Sequence, residues 1–179
     1  MLIETRVNNS SYELASYIKI LGYDYFLSED GKFGIKRTTL KSGNKEEIFN
    51  FYRKNKPSIY FVKPTTIEAL RYSIIYDNVN GIVIDKENSR LFKKSMLNLI
   101  RQYNKVVEVC INEISIVYKV INWSDKWIEY PIFSSCASRF NELWSPLSKI
   151  ALLSSLGAYK EDAIRWIYLS PLVLFGRDP

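Results

Sequence analysis

Short apolar runs alternate with stretches of helical period along most of the 179 residues. Residues 2–7 predict a strand, and residues 10–23 a helix entered at a serine cap. Residues 24–28 (DYFLS) predict a second strand, with a glycine-rich turn after it and a helix over 45–55. A strand over 58–64 is closed by Pro64, and a helix over 65–77 follows, with a threonine cap and an acid, Glu68, three residues beyond Thr65. Residues 81–85 predict a buried strand, 89–104 a long helix, 105–114 a strand, 115–127 a short helix and 128–135 a strand. The tail from Ser145 to Pro171 reads as two helices broken at Gly157.

Strand–helix units repeated in one short chain predict a parallel α/β sheet or barrel. The units are short, so the expectation is a single domain over 1–179 shaped as a compact TIM-barrel-like α/β barrel. An open doubly wound parallel sheet is the alternative. No internal repeat, low-complexity segment or linker divides the chain.

Composition narrows the class. Apolar residues make up 47% and charged residues 25%, the balance of an ordinary folded protein. No apolar run is long enough to span a bilayer, and Glu4 interrupts any signal-peptide core at the N-terminus. Two cysteines, Cys110 and Cys136, form no framework and fit a reducing compartment, so the expected location is the cytoplasm.

The net charge of +6 is unevenly spread. Residues 36–56 and residues 86–105 each carry a local +5, which leaves the remainder negative. Concentrated positive charge is what a phosphate backbone attracts. On the predicted 89–104 helix, Phe92, Met96, Leu99, Ile100 and Tyr103 share one side. Arg90, Lys94, Arg101 and Lys105 share the other, with Glu87 the only acid nearby. Such a stripe of like charges is relieved by a polyanion; the plainer reading is a solvated outer face.

The chain contains no histidine. That removes the usual general base near neutral pH and the commonest metal ligand. Ser134 and Ser135, at the end of a predicted strand, therefore have no Ser-His pair to join, and no SxxK or GxSxG spacing surrounds them. Asp30, Asp85 and Glu113 each follow a predicted strand and would suit either a carboxylate magnesium site or loop capping. Trp123, Trp127, Trp144 and Trp166 read as core or protein-interface anchors.

Five segments taken in order carry a resemblance: LRYSI (70–74), VNGIVID (79–85), VVEVCINEI (106–114), IFSSCA (132–137) and LWSPLSKIALLSSLGAYKEDAI (143–164). Together they resemble the archaeal and eukaryotic ribonuclease P protein component 3 family, the thirty-kilodalton subunit of the eukaryotic enzyme. Ser134-Ser135-Cys136 stands where the family has Ser-Ser-Ala, and Leu156-Gly157-Ala158, Ala163 and Pro171 take the places of its later landmarks. The resemblance spans roughly residues 58 to 175; before that only the strand–helix order matches.

The resemblance implies an α/β barrel related to the PHP phosphoesterases but without their histidine-rich metal cluster. It implies a subunit that supports a catalytic RNA in removing the 5′ leader of precursor tRNA. The magnesium would sit on the RNA, no cofactor would be bound by this chain, and no membrane would be involved. The implied partners are the ribonuclease P RNA through its catalytic domain, ribonuclease P protein component 2 and further protein subunits, with precursor tRNA met indirectly. The expected RNA-binding residues are Lys63, Arg71, Arg90, Lys94, Arg101, Lys105, Arg139 and Phe140. Arg139 and Phe140 stand where similar proteins carry a basic–aromatic pair, suited to phosphate and base stacking. Arg71 would reach phosphate or pair with Glu68 or Glu4, and Lys63 would point to the barrel mouth or to solvent. Ser134 and Ser135 would cap backbone groups at that mouth. The rivals are a stand-alone metal-dependent phosphoesterase using Asp30, Asp85 and Glu113, and a protein–protein adaptor kept soluble by its lysines.

Overall fold

The computed structural model describes residues 1–176. Its strands are β1 (Ile3–Val7), β2 (Tyr25–Ser28), β3 (Ile35–Lys36), β4 (Thr38–Ser42), β5 (Tyr60–Pro64), β6 (Gly81–Ile84), β7 (Val106–Cys110) and β8 (Pro131–Ser134). Its helices are α1 (Tyr12–Ile20), α2 (Lys45–Asn55), α3 (Ile67–Ile75), α4 (Lys94–Gln102), α5 (Ile114–Ser124), α6 (Pro146–Ser155) and α7 (Lys160–Tyr168). Short 3-10 turns lie at Ser89–Leu91, Phe140–Glu142 and Ser170–Phe175.

Side-chain caps set where four helices begin. Ser11, Asn44, Thr66 and Ser145 each accept the N–H three residues on, at 2.7–3.1 Å. The cap of α3 is thus Thr66 and not Thr65.

All paired strands are parallel and follow chain order, β1-β2-β3 in one sheet and β4-β5-β6-β7-β8 in the other. That order lacks the reversal of a doubly wound sheet. A closed ladder of eight strands, as a TIM-type barrel has, is not formed either. The sheets approach each other at two seams. At one, the chain passes from β3 to β4 through the single residue Arg37, whose N–H donates to the Ser28 carbonyl at 3.0 Å. At the other, a lone bridge joins Val7 to Ala137, with the Asn8 N–H donating to the Ala137 carbonyl at 2.8 Å.

Between the sheets, Ile3, Leu27, Phe61, Val83, Val106 and Ile132 form one apolar cluster, joined by Leu174 from the last 3-10 turn. Gly81 has a packing reason: it pairs with Phe61, and a Cβ there would run into the Phe61 ring. That ring lies 4.0 Å beneath the Arg37 guanidinium. A larger cluster lies between strands and helices, with Ile82 and Ile84 of β6, Val107 and Val109 of β7, and residues from α1 and α3 to α7. Among the described residues no helix is long and apolar enough to cross a membrane.

Two stretches depart from the sequence reading. β3 lies in the stretch read as a glycine-rich turn, and β4 lies mostly in residues 39–44, where no element is expected because TTLKS shows no apolar alternation. The helix predicted over 89–104 is broken, since Lys93 is extended (ψ 164°) and α4 starts only at Lys94. Asn88 fixes the break. Its amide donates to the Pro64 and Val83 carbonyls at 3.1 and 2.9 Å, which ties the turn to β5 and β6. On α4, Leu97 and Ile100 are buried, the expected Met96 and Leu99 are half-buried and pack against the same core, and Tyr103 is exposed.

Candidate nucleic-acid interface

Beside the apolar cluster lies a buried polar group whose charge is balanced internally. Arg37 is fully buried, and its guanidinium makes two parallel bonds to Glu108, at 2.7 and 2.8 Å. It also donates to the Thr5 carbonyl at 2.6 Å and to Thr39 Oγ1 at 2.9 Å, and lies 3.1 Å from Glu29. Burial acts to raise the Glu108 pKa, but Arg37, with Arg6 and the Ser134 hydroxyl behind it, outweighs burial and holds it below its ordinary value.

Ser134 and Ser135 serve two buried carboxylates. Neighbouring residues of a strand face opposite sides, so Ser134 Oγ donates inward to Glu108 at 2.5 Å. Ser135 Oγ donates the other way, to Glu4 at 2.6 Å, and accepts the Trp144 N–H at 3.1 Å. Glu4 is further neutralised by the buried Lys149 ammonium at 2.7 Å. Backbone capping is thus the lesser part of what these serines do.

The expected RNA-binding residues separate into groups. Lys63 is at the C-terminal end of β5, but its ammonium is bonded to Asp85 and, at 2.8 Å, to Glu87. Burial lowers the Lys63 pKa, and those two carboxylates outweigh it, so the net shift is upward. Glu87 also takes Lys41 at 3.0 Å, and with Lys63 and Lys41 on it the Glu87 carboxyl titrates at about 2. Arg71 is exposed and pairs with neither Glu68 nor Glu4, which are engaged by Lys45 and Lys149. Arg139 is exposed beside Phe140, which is 53% exposed and meets the Tyr17 ring edge-on at 5.7 Å.

The basic stripe survives in part. Lys94 and Arg101, seven residues apart on α4, share its outer face, and Arg90 sits on the 3-10 turn before it. With Lys93 they are exposed, and among the described residues none of the four pairs with a carboxylate. Lys105 leaves the stripe. It is 8% exposed, and its ammonium donates to the Tyr76 and Val79 carbonyls at 3.1 and 2.7 Å.

Burial lowers the Lys105 pKa from 10.5 to about 8, so the folded state holds this proton less firmly than the unfolded chain. Its contribution to stability therefore rises with pH between about 8 and 10.5. Lys105→Met is expected to remove that rise in urea titrations.

A groove of about 310 Å³ runs beside Arg101, lined also by Lys126, Trp127, Glu129 and Arg165. The Trp127 indole donates to Asn98 Oδ1 at 2.9 Å and lies 5.3 Å under the Lys126 ammonium. Lys126 and Arg165 are absent from the sequence-based expectation because they are 39 positions apart in the chain, and Trp127 is expected there only as a core or protein-interface anchor. The only signal in the sequence is the Lys126-Trp127 dipeptide.

Asp30, Asp85 and Glu113 are engaged one by one. Asp30 accepts from Ser10, Asp85 holds Lys63, and Glu113 accepts the Lys86 N–H at 3.0 Å. No group of three such residues able to hold a metal gathers among the described residues. Cys110 and Cys136 depart from expectation as well, since they are joined in a disulfide.

The molecule is thus a parallel α/β protein with an internally neutralised polar interior and, at and just before α4, cations that pair with no carboxylate among the described residues. No protein-family model matches the chain, and no curated protein does. Among solved structures it is similar to a chain of the cryo-EM structure of archaeal ribonuclease P with mature tRNA. The TM-score is 0.78 at 10% identity, and the match covers 96% of this chain and 89% of that one. The likeness is one of fold.

Proposed function

We propose that the protein is a subunit of ribonuclease P, of the component 3 kind, that supports the catalytic RNA in removing the 5′ leader of precursor tRNA. The observation that carries this reading is the shared fold with a chain of archaeal ribonuclease P over nearly the whole length. The ordered segments from LRYSI to the Gly157 region and the unpaired cations of α4 support it independently. On this reading the two sheets are halves of a PHP-related barrel, with seams at Arg37 and at the Val7–Ala137 bridge.

The role is that of a cationic scaffold. Arg90, Lys94 and Arg101 would lie along phosphates, with Arg71, Arg139 and Phe140 as further RNA-facing residues and the Trp127 groove beside them. Placing fixed positive charge against folded RNA reduces repulsion between its strands and releases counterions. Chemistry is assigned to the RNA and its magnesium. Ribonuclease P protein component 2 and further subunits are the protein partners, in the cytoplasm. Lys63 and Lys105, both already engaged, are set aside as phosphate ligands.

Purified chain titrated with ribonuclease P RNA between about 50 and 200 mM salt tests the reading. The expected result is binding that weakens linearly in log–log form, with no hydrolysis of RNA or phosphoesters by the isolated chain in magnesium or manganese. Hydrolysis without RNA subunit, or binding indifferent to salt, contradicts it.

A further inference from the structure

Cys110 closes β7, and Cys136 stands two residues past β8, with Cα atoms 5.6 Å apart. Their positions are set by bonds other than the one between the sulfurs. Cys110 is in register with Ser134, and the Ile111 N–H donates to the Ser134 carbonyl at 2.8 Å. Ser135 is held by Glu4, the Asn8 amide donates to the Cys136 carbonyl at 2.7 Å, and Ala137 bridges to Val7. Those bonds keep the sulfurs within reach of each other when the disulfide is broken, while the disulfide adds the one covalent tether that limits how far Cys136 and the residues after it move. Both cysteines are half-buried, so small oxidants and reductants reach them. Arg6 Nη1 lies 4.0 Å from Cys110 Sγ, and a guanidinium there favours the thiolate over the thiol.

The bond also has a particular neighbour. Cys136 adopts a left-handed backbone (φ 52°) and lies two residues before the exposed segment 138–142 that carries Arg139 and Phe140, with buried Ala137 between them. That segment is otherwise held by Glu142, which accepts the Ser138 N–H at 2.7 Å, and by the packing of Phe140 on Tyr17.

We propose that Cys110 and Cys136 are a reversible dithiol site, oxidised by hydrogen peroxide, whose state sets the mobility of the Arg139–Phe140 segment. The Cys110 thiolate attacks one peroxide oxygen, the O–O bond breaks, and the released hydroxide takes a proton to become water. The Cys136 sulfur then attacks the Cys110 sulfenic sulfur. The S–O bond breaks, and the leaving hydroxide combines with the Cys136 thiol proton as a second water. Two thiols lose two electrons to one peroxide; a dithiol reductant reverses the step by exchange.

The test uses the full chain, reduced with dithiothreitol, desalted and titrated with peroxide. Expected are loss of both thiols per chain as monomer, recovery on re-reduction, and slower oxidation in Arg6→Gln. Amide hydrogen exchange at 138–142 is expected to be roughly tenfold faster in reduced protein and in Cys136→Ser than in oxidised protein. Thiols that survive peroxide, that pair between chains, or whose oxidation leaves exchange at 138–142 unchanged overturn the proposal. RNA affinity, measured in both states, rests on the ribonuclease P reading. Oxidised protein binding several-fold more tightly supports both. Equal affinity alongside altered exchange supports the dithiol site and removes this segment from the RNA interface.

Discussion

Arg37→Met is expected to lower the free energy of unfolding by about 3–5 kcal/mol, because it strands the buried Glu108 carboxylate without its counter-charge. The Thr5 carbonyl and the Thr39 hydroxyl lose donors in the same step. For a chain of this size that corresponds to a fall in Tm of roughly 10 °C. Removing both partners together, as Arg37→Met with Glu108→Leu, should restore much of the stability, since no unpaired charge remains. The pH dependence has a definite sign. Glu108 titrates below its ordinary 4.5 in the folded state, so its contribution is complete above that value and is lost as pH falls below it. Urea unfolding of the wild type should weaken in acid more steeply than that of Glu108→Gln. Arg37→Met with wild-type stability near neutral pH would contradict this account of the interior.

The second large effect concerns RNA. The combined change of Arg90, Lys94 and Arg101 to Ala is expected to reduce the slope of log K against log salt by about 0.7–0.9 for each phosphate no longer neutralised. Three such phosphates correspond to a fall in affinity on the order of 10²-fold in about 0.1 M salt. All three side chains are exposed and, among the described residues, without carboxylate partners, so stability should change by less than about 0.5 kcal/mol. A filter-binding series across salt, paired with a urea melt of the same preparation, separates weakened phosphate binding from unfolding. A slope equal to that of the wild type rejects these residues as phosphate ligands.

The sequence reveals elements wherever an apolar run or a cap marks them. β5 to β8 are dense in Val, Ile and Phe, and α2 begins and ends as its pattern predicts. β3 is too short to show a period, and β4 is hidden because Thr39 serves a polar interior, donating to Glu29 and accepting from Arg37, so the usual apolar alternation is missing. The break before α4 depends on Asn88 reaching Pro64, 24 residues away, which no local window contains. The site is less legible than the fold. Arg37 sits in a basic stretch and looks like surface charge; its partner Glu108 is 71 residues on and reads as one acid in an apolar strand. Placing Lys105 on the α4 stripe requires a helix continuing past Gln102, whereas the chain turns there and buries the lysine. The cysteine pair does leave a signal. Parallel neighbours β7 and β8 bring their C-terminal ends together, and both cysteines fall at those ends.

Precursor-tRNA cleavage by ribonuclease P RNA with protein component 2, at limiting magnesium, tests the central claim most directly. Three reactions are compared: without this chain, with it, and with the Arg90, Lys94 and Arg101 triple-alanine form. The account predicts cleavage at the same 5′ site in each, accelerated by the wild-type chain and much less by the folded triple variant. Equal rates with and without the wild-type chain, or leader removal by the chain in the absence of the RNA subunit, would contradict it.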